Sequence, residues 1–148
     1  MVKSSIEKRG IDMTVILCID ERGGMMFGGK RQSRDRILRG RIIEKTKDRR
    51  LIMNAYTASQ FEEEVFNGVT AENVFEEAGE NDYVFIENID VSPYESIIDS
   101  FIIYKWNRLY PSDFSFKFPL EELGYKIISS EDFEGSSHEC ITEEVYVR

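Results

Sequence analysis

Few side chains in this chain of 148 residues have types and spacings suited to chemistry. Asp35 stands near the start of a segment that reads as a helix, flanked by Arg34 and Arg36. A carboxylate there has two readings. It is either a solvated first-turn acid that favours the helix dipole, or a functional carboxylate. The single histidine, His138, follows Ser136 and Ser137. One imidazole excludes metal sites built from several, so no metal is expected. A Ser-His-Asp arrangement would have to run through that one residue from Ser136 or Ser137, without a nucleophile elbow, and a loop or strand-end histidine is the simpler reading. Glu62-Glu63-Glu64 and Glu76-Glu77 are consecutive, do not share a helical face, and read as solvated surface. Trp106-Asn107-Arg108, with Tyr110-Pro111, gathers stacking and charged groups at one strand end. Trp106 reads as core, and Arg108 stays open as a contact to an anion or substrate.

The elements that must position these residues follow from hydrophobic period and punctuation. Thr14–Ile19 is a continuous apolar run, as expected of a central strand covered on both faces. Gly23, Gly24, Gly28 and Gly29 mark a flexible loop that presents Met25, Met26 and Phe27 to pocket or core. Ser33 is the expected cap of the next helix, with Ile37, Leu38, Ile42 and Ile43 as its apolar stripe. Leu51–Met53 reads as a short strand. Thr57 with Gln60 reads as a capping box for a helix through about Phe66, and Thr70 opens a helix over Ala71–Ala78, ended by Gly79. Tyr83–Ile86 is a strand, and Ser92-Pro93-Tyr94-Glu95 is a helix start. Phe101–Lys105, the Phe114/Phe116/Phe118 alternation, Tyr125–Ser129 and Cys140–Val147 then read as strands without intervening helices. The pattern predicts an α/β domain with a mostly parallel central sheet flanked by helices and finished by antiparallel strands.

Bulk properties suit one domain over residues 13–148 after a polar extension at 1–12. Apolar residues make up 41% and charged residues 32% of the chain, a soluble globular balance. No apolar run approaches the roughly 20 residues that cross a bilayer, and Met1–Asp12 lacks a signal peptide's apolar core. A cytoplasmic location is expected, with Cys18 and Cys140 as buried thiols and no disulfide. Net charge is −9, yet from Lys30 to Arg50 ten Lys/Arg face three acids, a balance of +7 that leaves −16 elsewhere. One reading is an electropositive face for a phosphate or RNA, using Arg34, Arg39 and Arg41. The others are a helix face neutralised by acids elsewhere in the fold, or a homo-oligomer joining the basic helix to the acidic remainder.

Order and motifs together resemble dihydrofolate reductase. Gly23-Gly24-Met25 falls where that family has its mobile loop after the first strand. Leu51-Ile52-Met53 followed by Thr57 resembles its apolar strand and helix-capping threonine. Tyr83–Ile86, the Ser92-capped segment and Phe101–Lys105 match its later strand–helix–strand unit, and Ser137-His138-Glu139-Cys140 with the strand after it looks like its closing hairpin. The resemblance implies that Asp35 is the catalytic carboxylate that hydrogen-bonds a pteridine. It implies a pteridine-like ligand or nucleotide between the glycine loop and the basic helix, touching Met25, Arg34 and Arg39, and NADPH or NADH held by Thr57, Gly23 and Gly24. Two departures weigh against the cofactor. Ala55 stands in place of the arginine for the NADPH 2′-phosphate, and Glu87-Asn88-Ile89 replaces the glycine run beside the pyrophosphate.

Overall fold

The computed structural model describes residues 13–61, 64 and 67–148. The extension at 1–12 and most of the stretch from 62 to 66, where the Thr57 helix was expected to end, lie outside the described residues. The strands are β1 (Thr14–Ile19), β2 (Gly24–Phe27), β3 (Lys30–Arg31), β4 (Leu51–Met53), β5 (Gly68–Thr70), β6 (Tyr83–Phe85), β7 (Ser100–Lys105), β8 (Phe114–Ser115), β9 (Lys126–Phe133) and β10 (Ile141–Val147). The helices are α1 (Arg36–Thr46) and two single turns, α2 (Ala55–Ala58) and α3 (Val74–Glu77).

Seven strands form one sheet in the order β9-β10-β7-β1-β6-β4-β5. β1 lies parallel to both β7 and β6, and β4 lies parallel to β6 and β5. β10 then pairs antiparallel with β7, and β9 antiparallel with β10. The expected mixture of a parallel centre and antiparallel C-terminal strands is therefore present. β1 is apolar from Val15 to Ile19 because both its faces are covered. Val15 and Leu17 pack into one core cluster with Val84, Phe101 and Ile103, while Ile16 packs into the other with Leu38, Ile42 and Phe85. The period-two alternation of a strand produces this division.

Several local expectations are corrected. The N-cap of α1 is Asp35, whose side chain accepts from Ile37 N and Leu38 N, and not Ser33. The buried stripe is Leu38, Ile42 and Thr46, spaced four apart, whereas Ile37 is turned outward. α2 is capped by Asn54, which accepts from the Thr57 amide, and runs into a 3-10 turn at Ser59–Phe61. The segment around Thr70 begins as strand β5, and only Val74–Glu77 is helical. Ser92–Ile97 forms a 3-10 helix. The glycine loop is a hairpin: Gly28 and Gly29, at φ 60° and 77°, form the two-residue turn between β2 and β3. β8 joins this hairpin in a second, three-stranded sheet. Both cysteines are free thiols, with Cys18 half-buried and Cys140 exposed where both were expected to be buried.

Candidate functional site

The carboxyl ends of β1 and β6, the N-terminal half of α1 and the β3 segment enclose a cavity of about 10 Å³, enough for one water molecule. Open parallel sheets bind ligands at this edge. Cys18 and Met25 line the cavity from one side, Leu38, Arg39 and Ile42 from α1, and Arg31, Gln60 and Glu87 from the mouth. The mouth is closed by an ion pair. Arg31 Nε donates to Glu87 Oε2 at 2.8 Å and Nη2 to Oε1 at 3.1 Å, a bidentate fork. The guanidinium carbon lies 4.3 Å from the centre of the Tyr56 ring, and Nη2 also donates to the Tyr56 carbonyl at 2.8 Å. Gln60 Nε2 donates to Glu87 Oε2 at 3.0 Å. Burial disfavours the Arg31 charge, but the Glu87 carboxylate outweighs that effect and raises the arginine pKa. Cys18 beside them stays protonated, because burial pushes its thiol up and the charges of Glu87 and Asp35 push it further.

Behind α1 lies a second polar cluster. Asp35 is buried, and its two oxygens accept five hydrogen bonds. Oδ1 receives Ile37 N at 2.9 Å, Leu38 N at 3.2 Å and Ser136 N at 2.9 Å, while Oδ2 receives Ser137 N at 2.8 Å and contacts His138 Nδ1 at 2.9 Å. Burial alone would raise the Asp35 pKa, yet the bonds from His138, Ser136, Ser137 and Leu38 overcome it and hold the carboxyl well below the usual carboxylate range. The imidazole of His138 stacks on Trp106 with centroids 4.4 Å apart. Its Nε2 contacts Ser33 Oγ at 2.9 Å and the Tyr110 hydroxyl at 3.1 Å.

The residues singled out from sequence are therefore only partly gathered. Met25 and Arg39 line the cavity, with Arg39 Nε bound to Glu64 at 3.2 Å. Arg34 and Arg108 are exposed and outside its lining. Asp35 spends every acceptor on protein donors, which leaves no lone pair aimed at a ligand. Gly23 and Gly24 form a tight turn: Gly24 N donates to Asp20 Oδ1 at 2.7 Å, and the Gly23 carbonyl accepts from Phe116 N at 2.8 Å. A Cβ on Gly24 would come within 2.7 Å of the Ser112 side chain, so this glycine serves close packing of the hairpin against the β8 segment. Thr57 is fully buried, with a hydroxyl that has no hydrogen-bond partner among the described residues. Among the described residues, six of the ten cations between Lys30 and Arg50 are ion-paired, to Glu87, Glu64, Glu131, Glu143, Glu44, Glu77 or Asp82. The basic segment is thus largely neutralised in place, as the helix-face reading expected. Arg31 and Glu87 were missed as a pair. The one signal was a lone glutamate closing an apolar strand, a position that calls for a buried partner.

No protein-family model and no curated protein matches the chain. Among solved structures, dihydrofolate reductase from Enterococcus faecalis complexed with NADP(H) and RAB-propyl matches over 93% of this chain and 96% of its own, at 14% identity and TM-score 0.68. The chain has a dihydrofolate reductase-like fold. The residues present do not fit NADP(H) as that fold would hold it. Ala55 supplies no cation, the Arg31 charge is taken by Glu87, and Asn54 Nδ2 donates to Asn88 Oδ1 at 2.9 Å, joining the start of α2 to the turn after β6. Among the described residues no group of three or more His, Cys, Asp or Glu is placed to hold a metal ion, and no helix is long and apolar enough to cross a membrane.

Proposed function

We propose that the cleft binds a small planar nitrogen heterocycle of pteridine type, with Glu87 and not Asp35 as the anchoring carboxylate. The observation that carries this reading is the Arg31–Glu87–Tyr56 arrangement. A guanidinium forked onto a carboxylate and stacked on an aromatic ring has the shape and donor pattern of an aminopyrimidine edge. Arg31 thus sits where such a ligand would sit, and on a two-residue strand its side chain can leave. The ligand would exchange one bidentate N–H pair for another, keep the Gln60 bond to Glu87, and stack on Tyr56. Displacement costs free energy, so the ligand's affinity is lowered by the fraction of molecules whose arginine is in place. NAD(P)H-dependent reduction is the less supported part of the likeness to reductases, for the reasons of fit given above.

A thermal-shift titration separates the two. A 2-amino-4-oxopteridine is expected to raise Tm in a saturable manner, while NADPH and NADH alone leave it unchanged. A saturable shift with either nicotinamide and none with the pteridine would overturn the reading.

A further inference from the structure

We propose that Ser33, His138 and Asp35 form a nucleophilic acyl-transfer site, with Ser33 as the attacking hydroxyl and carboxylic esters as the substrate class. Nucleophile, base and orienting acid are recognised by geometry and not by chain order. Here His138 Nε2 is 2.9 Å from Ser33 Oγ, and His138 Nδ1 is 2.9 Å from Asp35 Oδ2. The four backbone amides bound to Asp35 fix the carboxylate, and Trp106 fixes the plane of the ring. Because Asp35 is held ionised, the imidazole proton belongs on Nδ1, leaving the Nε2 lone pair toward the Ser33 hydroxyl. The Tyr110 hydroxyl, at 3.1 Å, is a second donor sharing that lone pair and would have to yield it as Ser33 reacts. Structural stabilisation of the β9–β10 connection needs only the Asp35 bonds. It does not require a serine on the far nitrogen, half-buried at the lining of a cavity.

In the reaction, Ser33 Oγ forms a bond to the ester carbonyl carbon and its proton passes to His138 Nε2. The carbon–alkoxide bond breaks as that proton moves to the departing oxygen, releasing an alcohol. Water then attacks the acyl-serine with His138 again accepting the proton, releases the carboxylic acid and restores Ser33. Arg39, which lines the same cavity with its Nε on Glu64, is the cation nearest in kind to an oxyanion there and would have to turn its remaining N–H groups toward it. Neither Arg31 nor Glu87 takes part, so the inference stands apart from the heterocycle reading. Cys18, protonated in the same cavity, is no competitor.

The test is labelling of the intact protein with a fluorophosphonate, followed by peptide mapping. One adduct is expected, at Ser33, absent from Ser33→Ala, absent from wild type unfolded in urea, and formed at least about 100-fold more slowly in His138→Gln. Should His138→Gln fail to fold, wild type still decides, because Ser136 and Ser137 lie in the same digest without an imidazole contact from their hydroxyls. No adduct at Ser33, equal labelling of Ser136 or Ser137, or equal labelling in urea would overturn the proposal.

Discussion

Replacing Asp35 with alanine is expected to destabilise the protein by about 3–5 kcal/mol, the range for removing one partner of a buried charged network. The substitution removes the N-cap of α1, itself about 1 kcal/mol. It also strands the Ser136 and Ser137 amides and the imidazole of His138 in a buried site. For a chain of this length such a loss lowers Tm by roughly 10 °C. The pH dependence has a fixed sign. The folded-state pKa of Asp35 is depressed below the ordinary value of 3.8, so its contribution is fully present above that value and is lost as pH falls through it toward the folded pKa. Asp35→Asn keeps the shape and removes the charge, so its stability should lack this acid-dependent component. Urea unfolding of the three proteins between pH 7 and pH 3 reads both effects. A loss below about 1 kcal/mol for the alanine variant would show that the five hydrogen bonds are incidental.

Gly135→Ala should destabilise by about 1–3 kcal/mol through overpacking. A Cβ there would lie 2.5 Å from Asp35 Oδ2 and 2.9 Å from the Ile141 Cδ1. The carboxylate cannot retreat, because its oxygens are tied to α1 on one side and to Ser136, Ser137 and His138 on the other. Coupling gives the sharper test. In an Asp35→Ala background the obstructing oxygen is gone, so the same glycine substitution should cost at least about 1 kcal/mol less than in wild type. Additive effects in that cycle would mean that the clash is relieved by backbone movement.

Both predictions concern residues whose chemical types were visible in the sequence but whose partners were not. Asp35 stood out because a carboxylate at a helix start has few explanations; its contacts come from residues 136–138, a hundred positions away, which periodicity cannot reveal. Ser33 was the expected cap because serine caps well, yet Asp35 sits two residues nearer the first helical turn and takes its amides. The central strands were legible because burial on both faces makes β1 apolar from Val15 to Ile19 and β7 apolar from Phe101 to Tyr104. The β2–β3 hairpin carried a readable signal, two glycines between residues that pair, but four glycines in seven positions read equally as a mobile loop. The short α3 was overextended because Ala71–Ala78 has helical propensity, while strand pairing of Gly68–Thr70 with β4 and the brevity of the connection decide its length. The Arg31–Glu87 fork was illegible in principle: each residue had a separate reading, one as a surface cation and one as an obstacle to a pyrophosphate.

The direct measurement is the dissociation constant of 2-amino-4-oxopteridine for wild type, Arg31→Ala and Glu87→Gln, by equilibrium titration. Removing the internal guanidinium should tighten binding by about tenfold or more. Removing the carboxylate's charge should weaken it by at least about tenfold, the worth of a charge-assisted hydrogen bond. Weaker binding in Arg31→Ala together with unchanged binding in Glu87→Gln would contradict the claim that Glu87 is the anchor and Arg31 its internal occupant.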